Sequence, residues 1–223
     1  MGTDDFFKKN KAKSSKQLAR GGEKREPYAK VLIVCEGEKT EPNYFEELKD
    51  YYALSSVNVK IDGSCGSDPV SVVEYGKKLY RKEKVSGDAF DKVYCVFDKD
   101  THSNYDKAMN AIRTANPKDT YIAINSVPCF EYWLLLHFTF TTQPFRALPN
   151  NSACNQVLIQ LTSNVGMVKY SKGQHGIFEK LINLLDQAKV NANLSLQTAE
   201  AVCTDNPTTR VHELISFLQQ IKS

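Results

Sequence analysis

Short apolar runs alternate with amphipathic segments from about residue 30 to residue 138. Apolar, β-branched runs and one alternating segment predict four strands, at residues 31–35, 56–61, 92–97 and 121–125. Apolar residues at helical spacing predict helices between the strands, at residues 41–52, 69–84 and 105–115. Residues 128–138 are so apolar that they fit a buried helix, although a strand also fits the pattern.

Strands that alternate with helices are typical of an α/β fold, with a parallel sheet and helices on both faces. The pattern changes near residue 150, where helix-like segments follow at residues 152–161, 177–189 and 208–221. We therefore predict an α/β domain over residues 29–149, with a sheet of about four strands. Residues 150–223 are predicted to form a helical appendage packed on it.

The first 28 residues differ from the rest of the chain. They hold few aliphatic residues, and Lys and Arg outnumber Asp and Glu. This composition predicts a flexible basic arm. Two interpretations stay open, because such an arm either attracts nucleic-acid phosphate or is a solvated tail with no specific partner.

Composition and the lengths of the apolar runs exclude several classes of protein. The chain has 223 residues, a formal net charge of +3 and 41% hydrophobic residues, which is enough for a core. No apolar run approaches the roughly 18–20 residues of a membrane span, and the first residues lack the apolar stretch of a signal peptide. We therefore expect a cytoplasmic protein with no membrane partner. Six cysteines occur without a C-x-x-C pair, so a zinc site is not expected.

Acidic residues follow three of the predicted strands. Glu36 follows the first, Asp98 and Asp100 follow the third, and Glu131 lies beyond the fourth. Ligands of open parallel sheets bind at the carboxyl edge, so these acids converge if the first and third strands are neighbours. Carboxylate oxygens are the ligands that Mg²⁺ or Mn²⁺ prefers. Gly37, directly after Glu36, permits a tight turn or the close approach of a phosphate.

Four further residues are candidates with two interpretations each. Glu41 either favours the start of a helix or reaches the metal from its first turn. Glu131 lies in an apolar stretch, so it either faces the cleft or pairs with a basic group. Lys39 either neutralises a phosphate or is solvated. Lys172 lies in a glycine-containing loop that either contacts phosphate or is a connecting turn.

The strand-Glu-Gly and strand-Asp-x-Asp pieces resemble the Toprim domain of topoisomerases, bacterial primases and related nucleases. More narrowly, LIVCEGEKTEPNYF at residues 32–45, VFDKD at 96–100 and PCFEYWLLLHF at 128–138 resemble the RloB-like family. The Toprim resemblance implies that Glu36 acts as general acid/base or metal ligand, and that Asp98 and Asp100 hold a divalent metal. The RloB-like resemblance implies an antiphage-defence nuclease, often with an ATPase partner of the AAA or ABC type.

We therefore predict a magnesium- or manganese-dependent nuclease. Glu36, Asp98, Asp100 and Glu131 are its candidate catalytic residues, Glu41 is a further metal ligand, and Gly37, Lys39 and Lys172 contact phosphate. One alternative is a non-catalytic, nucleic-acid-binding subunit of a defence complex. Another is a haloacid-dehalogenase-type phosphatase with Asp98 as nucleophile, although His102 stands where that motif has threonine. DNA or RNA as substrate, and the oligomeric state, stay open.

Overall fold

A computed structural model describes residues 29–56, 58–99 and 101–221. The predicted basic arm and Asp100 lie outside these residues. In the described part, one sheet has the order β2-β1-β3-β4-β5. Strands β1 (Val31–Cys35), β2 (Val59–Asp62), β3 (Lys92–Asp98) and β4 (Tyr121–Val127) are parallel, and the two-residue β5 (Thr208–Thr209) pairs antiparallel with β4. The predicted α/β class is confirmed, and the sheet is compatible with a Toprim-like fold.

Helices cover both faces of this sheet. Their bounds are α1 (Thr40–Tyr51), α2 (Pro69–Val85), α3 (Tyr105–Arg113), α4 (Glu131–Leu135), α5 (Ala153–Thr162), α6 (Ile177–Leu181), α7 (Leu185–Ala201) and α8 (Val211–Ile221). A 3-10 turn, Ile182–Leu184, joins α6 to α7. No helix in the described part of the chain is long and apolar enough to cross a membrane.

Strand β1 is buried along its whole length, and its side chains alternate between two apolar clusters. Val31, Ile33 and Cys35 belong to a large cluster with residues of α1 and of α4 to α8. Leu32 and Val34 belong to a second cluster with residues of α2 and α3. A strand that is covered on both faces reads as a continuous apolar run, which is why it was visible in the sequence. The C-terminal helices thus share one core with the sheet.

Strands β1 and β3 are neighbours, as the convergence of the acids requires. Cys35 pairs with Val96, and the backbone N–H of Glu36 donates to the carbonyl oxygen of Val96 at 2.8 Å. Because the strands are parallel and in register, both end at the same edge. Glu36 and Asp98 therefore lie side by side at the carboxyl edge of the sheet.

The start of the last helix was predicted wrongly. Helical spacing predicted one helix over residues 208–221, but Thr208 and Thr209 form β5 and the helix begins at Val211. These two residues complete the edge of β4, where the hydroxyl oxygens of Thr209 and Ser126 lie 3.0 Å apart. A two-residue pairing with a distant strand leaves no local pattern, so tertiary context decided this segment.

The helix predicted over residues 177–189 was also wrong, because α6, a 3-10 turn and α7 occupy residues 177–201. The inner face of α7 is made of small or polar residues at helical spacing, namely Ala188, Asn191, Ala192, Ser195 and Ala199. Asn191 donates to the carbonyl of Leu136 at 2.8 Å, and Ser195 donates to that of Pro207 at 2.8 Å. Such a face has little hydrophobic contrast, so the apolar pattern does not show the helix.

Candidate active site

The carboxylate of Glu36 joins the ends of β1 and β3. Its Oε2 accepts a hydrogen bond of 3.0 Å from the backbone N–H of Asp98, and its Oε1 lies 3.0 Å from Nε2 of His102. Glu36 is followed by Gly37, whose φ of +83° turns the chain away from the sheet. The structure thus brings two of the three acids of the predicted constellation together, while the third, Asp100, lies outside the described residues.

A cavity of about 430 Å³ opens above these strand ends. Four acidic residues line it, namely the partly or fully buried Glu36, Glu41 and Asp98 and the exposed Glu38. Its other walls come from Gly37, Lys39, Thr40, Ser67, His102 and Lys172. The cavity therefore contains every candidate site residue in the described part of the chain except Glu131.

Glu41 lies in the first turn of α1 and is 8% exposed. Its pKa is raised to about 8, first of all by burial and also by the charges of Glu131 and Glu36, although a hydrogen bond from its own backbone N–H lowers it. A carboxyl group with this pKa holds a proton near neutral pH unless a cation replaces that proton. The predicted first-turn position of Glu41 thus brings a third acid to the cavity.

Asp98 and Glu36 have raised pKa values for similar reasons. For Asp98 the first cause is burial, followed by the charges of Glu41, Glu131 and Glu36, so its pKa lies well above the usual range. For Glu36 burial is again the first cause, although the N–H of Asp98 and the nearby His102 favour its ionised form. Four carboxyl groups from separate parts of the chain therefore repel one another, and a cation would relieve that repulsion.

Glu131, the first residue of α4, is 1% exposed. Its Oε1 lies 3.3 Å from Nζ of Lys172 and accepts a hydrogen bond from the hydroxyl of Tyr170, also at 3.3 Å. Its Oε2 is buried and has no hydrogen-bond partner among the described residues. Burial lowers the pKa of Lys172, but the surrounding groups, first among them the charge of Glu131, together raise it above its usual value. Glu131 therefore has a basic partner at Oε1, whereas its Oε2 is available to a ligand.

The loop that carries Tyr170 and Lys172 is fastened to α1. The N–H of Gly173 donates to Oγ1 of Thr40 at 3.0 Å, and the amide of Asn43 donates to the carbonyl of Gly173 at 2.9 Å. Gly173 has a φ of +78°, and a Cβ there would lie 2.9 Å from Cβ of Lys39. Only glycine permits this approach, which holds the ammonium of Lys172 beside the acids.

The donor set fits a hard divalent cation. Glu36, Glu41, Asp98 and Glu131 offer carboxylate oxygens, the ligands that Mg²⁺ and Mn²⁺ prefer, and Glu131 has an oxygen without a partner. Within residues 29–56, 58–99 and 101–221, no three His, Cys, Asp or Glu residues already stand close enough together to hold an ion. The ammonium of Lys172 and the ring of His102 instead lie against two of the acids.

Two residues beside the acids were not predicted from the sequence. His102 contacts Glu36, and Tyr170 contacts Glu131. His102 follows Asp98 closely in the loop after β3, so its position at a strand end was the one available signal. Tyr170 lies 39 residues from its partner in the chain, and no spacing rule connects them. Of the predicted phosphate contacts, Gly37, Lys39 and Lys172 all line the cavity, and the N–H of Gly37 lies 3.4 Å from the carbonyl of Gly66.

The chain was compared with protein families, with curated proteins and with solved structures. No curated protein and no solved structure matches it. A family model described as RloB-like protein matches residues 31–218, which include the whole sheet and all the described acids of the site. The match covers most of the chain, and this chain therefore belongs to the RloB-like protein family.

Proposed function

We propose that this protein is a nuclease that hydrolyses phosphodiester bonds with Mg²⁺ or Mn²⁺. The observation that carries the proposal is the convergence of Glu36, Glu41 and Asp98 on one cavity, with Glu131 coupled to them. Structural ion-pair networks also gather charges, but four mutually repelling carboxyl groups at a strand edge are costly unless they serve a site. The cationic Lys39 and Lys172 at the same cavity suit a phosphate substrate.

The residues divide into three roles in this proposal. Asp98, together with Asp100 and Glu41, would hold the cation, which when bound polarises the phosphate and stabilises the leaving oxygen. Glu36 moves a proton or ligates the metal, since its raised pKa brings its titration nearer to neutral pH. Lys172 and Lys39 bind the non-bridging phosphate oxygens. Hydrolysis forms one bond from water oxygen to phosphorus and breaks one phosphorus–oxygen bond, and the leaving oxygen takes up a proton.

The biological setting of the proposal rests on family membership. We infer that the nuclease acts in antiphage defence and works with an ATPase of the AAA or ABC type. Lys172 forms an ion pair with Glu131, and the ring of His102 contacts Glu36; control of the nuclease by a partner would agree with these contacts. Affinity purification of the chain from its host cells, a search for a co-purifying ATPase, and cleavage assays with and without that ATPase test this part.

Cleavage by the purified protein tests the chemistry. Plasmid DNA, linear DNA and RNA are incubated with Mg²⁺ or Mn²⁺ and with EDTA. We expect metal-dependent cleavage by the unaltered chain and by Asp186→Asn, which changes an exposed carboxylate on α7. Asp98→Asn is expected to lose it. Full activity in Asp98→Asn would remove Asp98 from the mechanism.

A second candidate function is a non-catalytic subunit that binds nucleic acid. The observation that favours it is the ion pair of Lys172 with Glu131, because this buried carboxylate then has a cationic partner from the chain itself and not from a metal. This function predicts salt-sensitive binding without turnover under any metal condition. Deletion of residues 1–28 then separates the two functions, because it would abolish binding by the subunit but leave the cleavage centre of a nuclease in place.

A further inference from the structure

A second cavity opens at the same edge of the sheet, over the ends of β3 and β4. Its volume is about 290 Å³, and Lys99 and Thr101 line one side of it. Val127 and Pro128, at the end of β4, line another. No proposed catalytic residue of the described chain belongs to this cavity, so it is separate from the acidic one.

One short segment divides the two cavities. Asp98 and His102 line the acidic cavity, whereas Lys99 and Thr101 line the second one. The described residues of this segment thus form a ridge that borders both cavities. A polymer that places one phosphate at Asp98 and lies across this ridge would put a neighbouring unit into the second cavity.

The walls of the second cavity are preformed and largely apolar. Val127, Pro128 and Phe145 contribute apolar surface, and Phe145 is held by Asn206. The side-chain amide of Asn206 donates to the carbonyl of Phe145 at 2.7 Å and accepts from its N–H at 3.1 Å. Apolar walls with a few fixed polar groups are characteristic of sites for small planar ligands.

The polar groups of this cavity suit a nucleotide. Arg146 is exposed and makes no ion pair or side-chain hydrogen bond with the described residues, so its guanidinium is available for an anion. Lys99 pairs with Asp205 at 2.5 Å, and both side chains are partly exposed at the border of the cavity. Arginine binds phosphate in a bidentate manner, and ammonium and carboxylate groups hydrogen-bond the edges of bases.

We propose that the second cavity binds one nucleotide unit, with the base against the apolar wall and a phosphate at Arg146. The assignment rests on the proposed nucleic-acid substrate and places the unit next to the scissile phosphate. The volume of about 290 Å³ lies just below the roughly 300–1,000 Å³ typical of small-molecule sites, which suits one unit.

Fluorescence anisotropy with short labelled single strands of DNA and RNA tests the assignment. Calcium replaces magnesium, so that binding is measured without cleavage. Arg146→Gln should weaken binding about fivefold and reduce the slope of log K against log salt by about 0.7, the value for one phosphate of a single strand. Ala147→Leu, at the exposed rim, should weaken binding about fivefold or more with an unchanged slope, since it blocks the base. Arg113→Gln, at the end of α3, is the charge-matched control and should bind as the unaltered chain.

Competition with nucleoside monophosphates identifies the source of the ligand. Displacement by monophosphates at concentrations similar to those of the oligonucleotides assigns the cavity to free nucleotides, and displacement by oligonucleotides alone assigns it to a strand. Both results support the assignment. Binding by Arg146→Gln and Ala147→Leu that equals that of Arg113→Gln, or no binding by the unaltered chain, would overturn it. Metal-dependent cleavage tests the nuclease proposal and binding in calcium tests this cavity, so a failure of one stays distinguishable from a failure of the other.

Discussion

Glu36 accepts a 3.0 Å hydrogen bond from the backbone N–H of Asp98, a residue 62 positions later in the chain. The bond ties together the ends of two adjacent parallel strands. It fixes the carboxylate of Glu36 beside that of Asp98, and both have raised pKa values, first of all because they are buried. Chemistry that needs several carboxylates in one place therefore has a rigid support here.

Two substitutions separate the contribution of Glu36 to stability from its contribution to cleavage. Glu36→Gln retains an oxygen that can accept from the N–H of Asp98, so the fold should stay near its original stability. Cleavage should fall about 100-fold or more, because the amide neither carries charge nor transfers a proton. Glu36→Ala should also lose about 1–3 kcal/mol of stability, since a partly buried donor loses its acceptor. Cleavage rates and urea unfolding of both variants measure these effects, and unchanged cleavage by Glu36→Gln would exclude Glu36 from the chemistry.

Lys172 is expected to stabilise the metal-free protein through Glu131. Lys172→Met would leave the buried carboxylate of Glu131 with the Tyr170 hydroxyl alone, at a cost of about 1–2 kcal/mol, reduced because the lysine side chain is 55% exposed. Lys169→Met, an exposed lysine of the same loop, is the matched control. Thermal and urea unfolding in EDTA compare the two. The addition of Glu131→Gln to Lys172→Met should restore most of the loss, and a Lys172→Met variant as stable as the control would contradict this role.

Glu41 should make the metal-free protein less stable as pH rises. Its pKa is about 8 in the folded chain and near 4.5 when exposed, so between these values the folded state retains a proton that the unfolded state releases. Stability from this group is therefore present below about pH 4.5 and lost as pH rises through about 8. Glu41→Gln removes this dependence and should be more stable than the unaltered chain at about pH 8, by roughly 2–4 kcal/mol, with little difference at about pH 4.5.

Urea unfolding in EDTA across this pH range is the measurement for Glu41. Glu179→Gln, an exposed acid on α6, serves as the control and should follow the unaltered chain. Mg²⁺ should stabilise the unaltered chain more than Glu41→Gln, because the cation replaces the proton. Equal pH profiles for Glu41→Gln and Glu179→Gln would show that Glu41 titrates normally.

The sheet and the Glu36–Asp98 relationship could be predicted from the sequence for a physical reason. Strands β1 and β3 are buried on both faces, so each leaves a continuous apolar run. Parallel strands end at one edge, so the residue types directly after them indicate what meets there. Glu41 was a candidate because of its ligand type and its position at a predicted helix start, and a role in the helix start alone was the alternative.

Other contacts of the site depend on tertiary packing that leaves no local pattern. Lys172 reaches Glu131 because Gly173 lets its loop approach Lys39. The long α7 packs through small residues such as Ala188 and Ala192, which have no hydrophobic contrast to reveal them. Predictions from spacing work where burial imposes a period, and they fail where a single distant contact decides the structure.

Anomalous scattering from a crystal of this protein soaked in Mn²⁺ shows whether these carboxylates hold a cation. We predict an anomalous peak in the cavity, with oxygen ligands from Asp98 and from at least one of Glu36, Glu41 and Glu131 at about 2.0–2.3 Å. The Asp98→Asn crystal, soaked in the same way, should lose that peak. A soaked crystal with no peak at the cavity, or with manganese bound only to acids elsewhere on the surface, would contradict the claim that these carboxylates form a metal site.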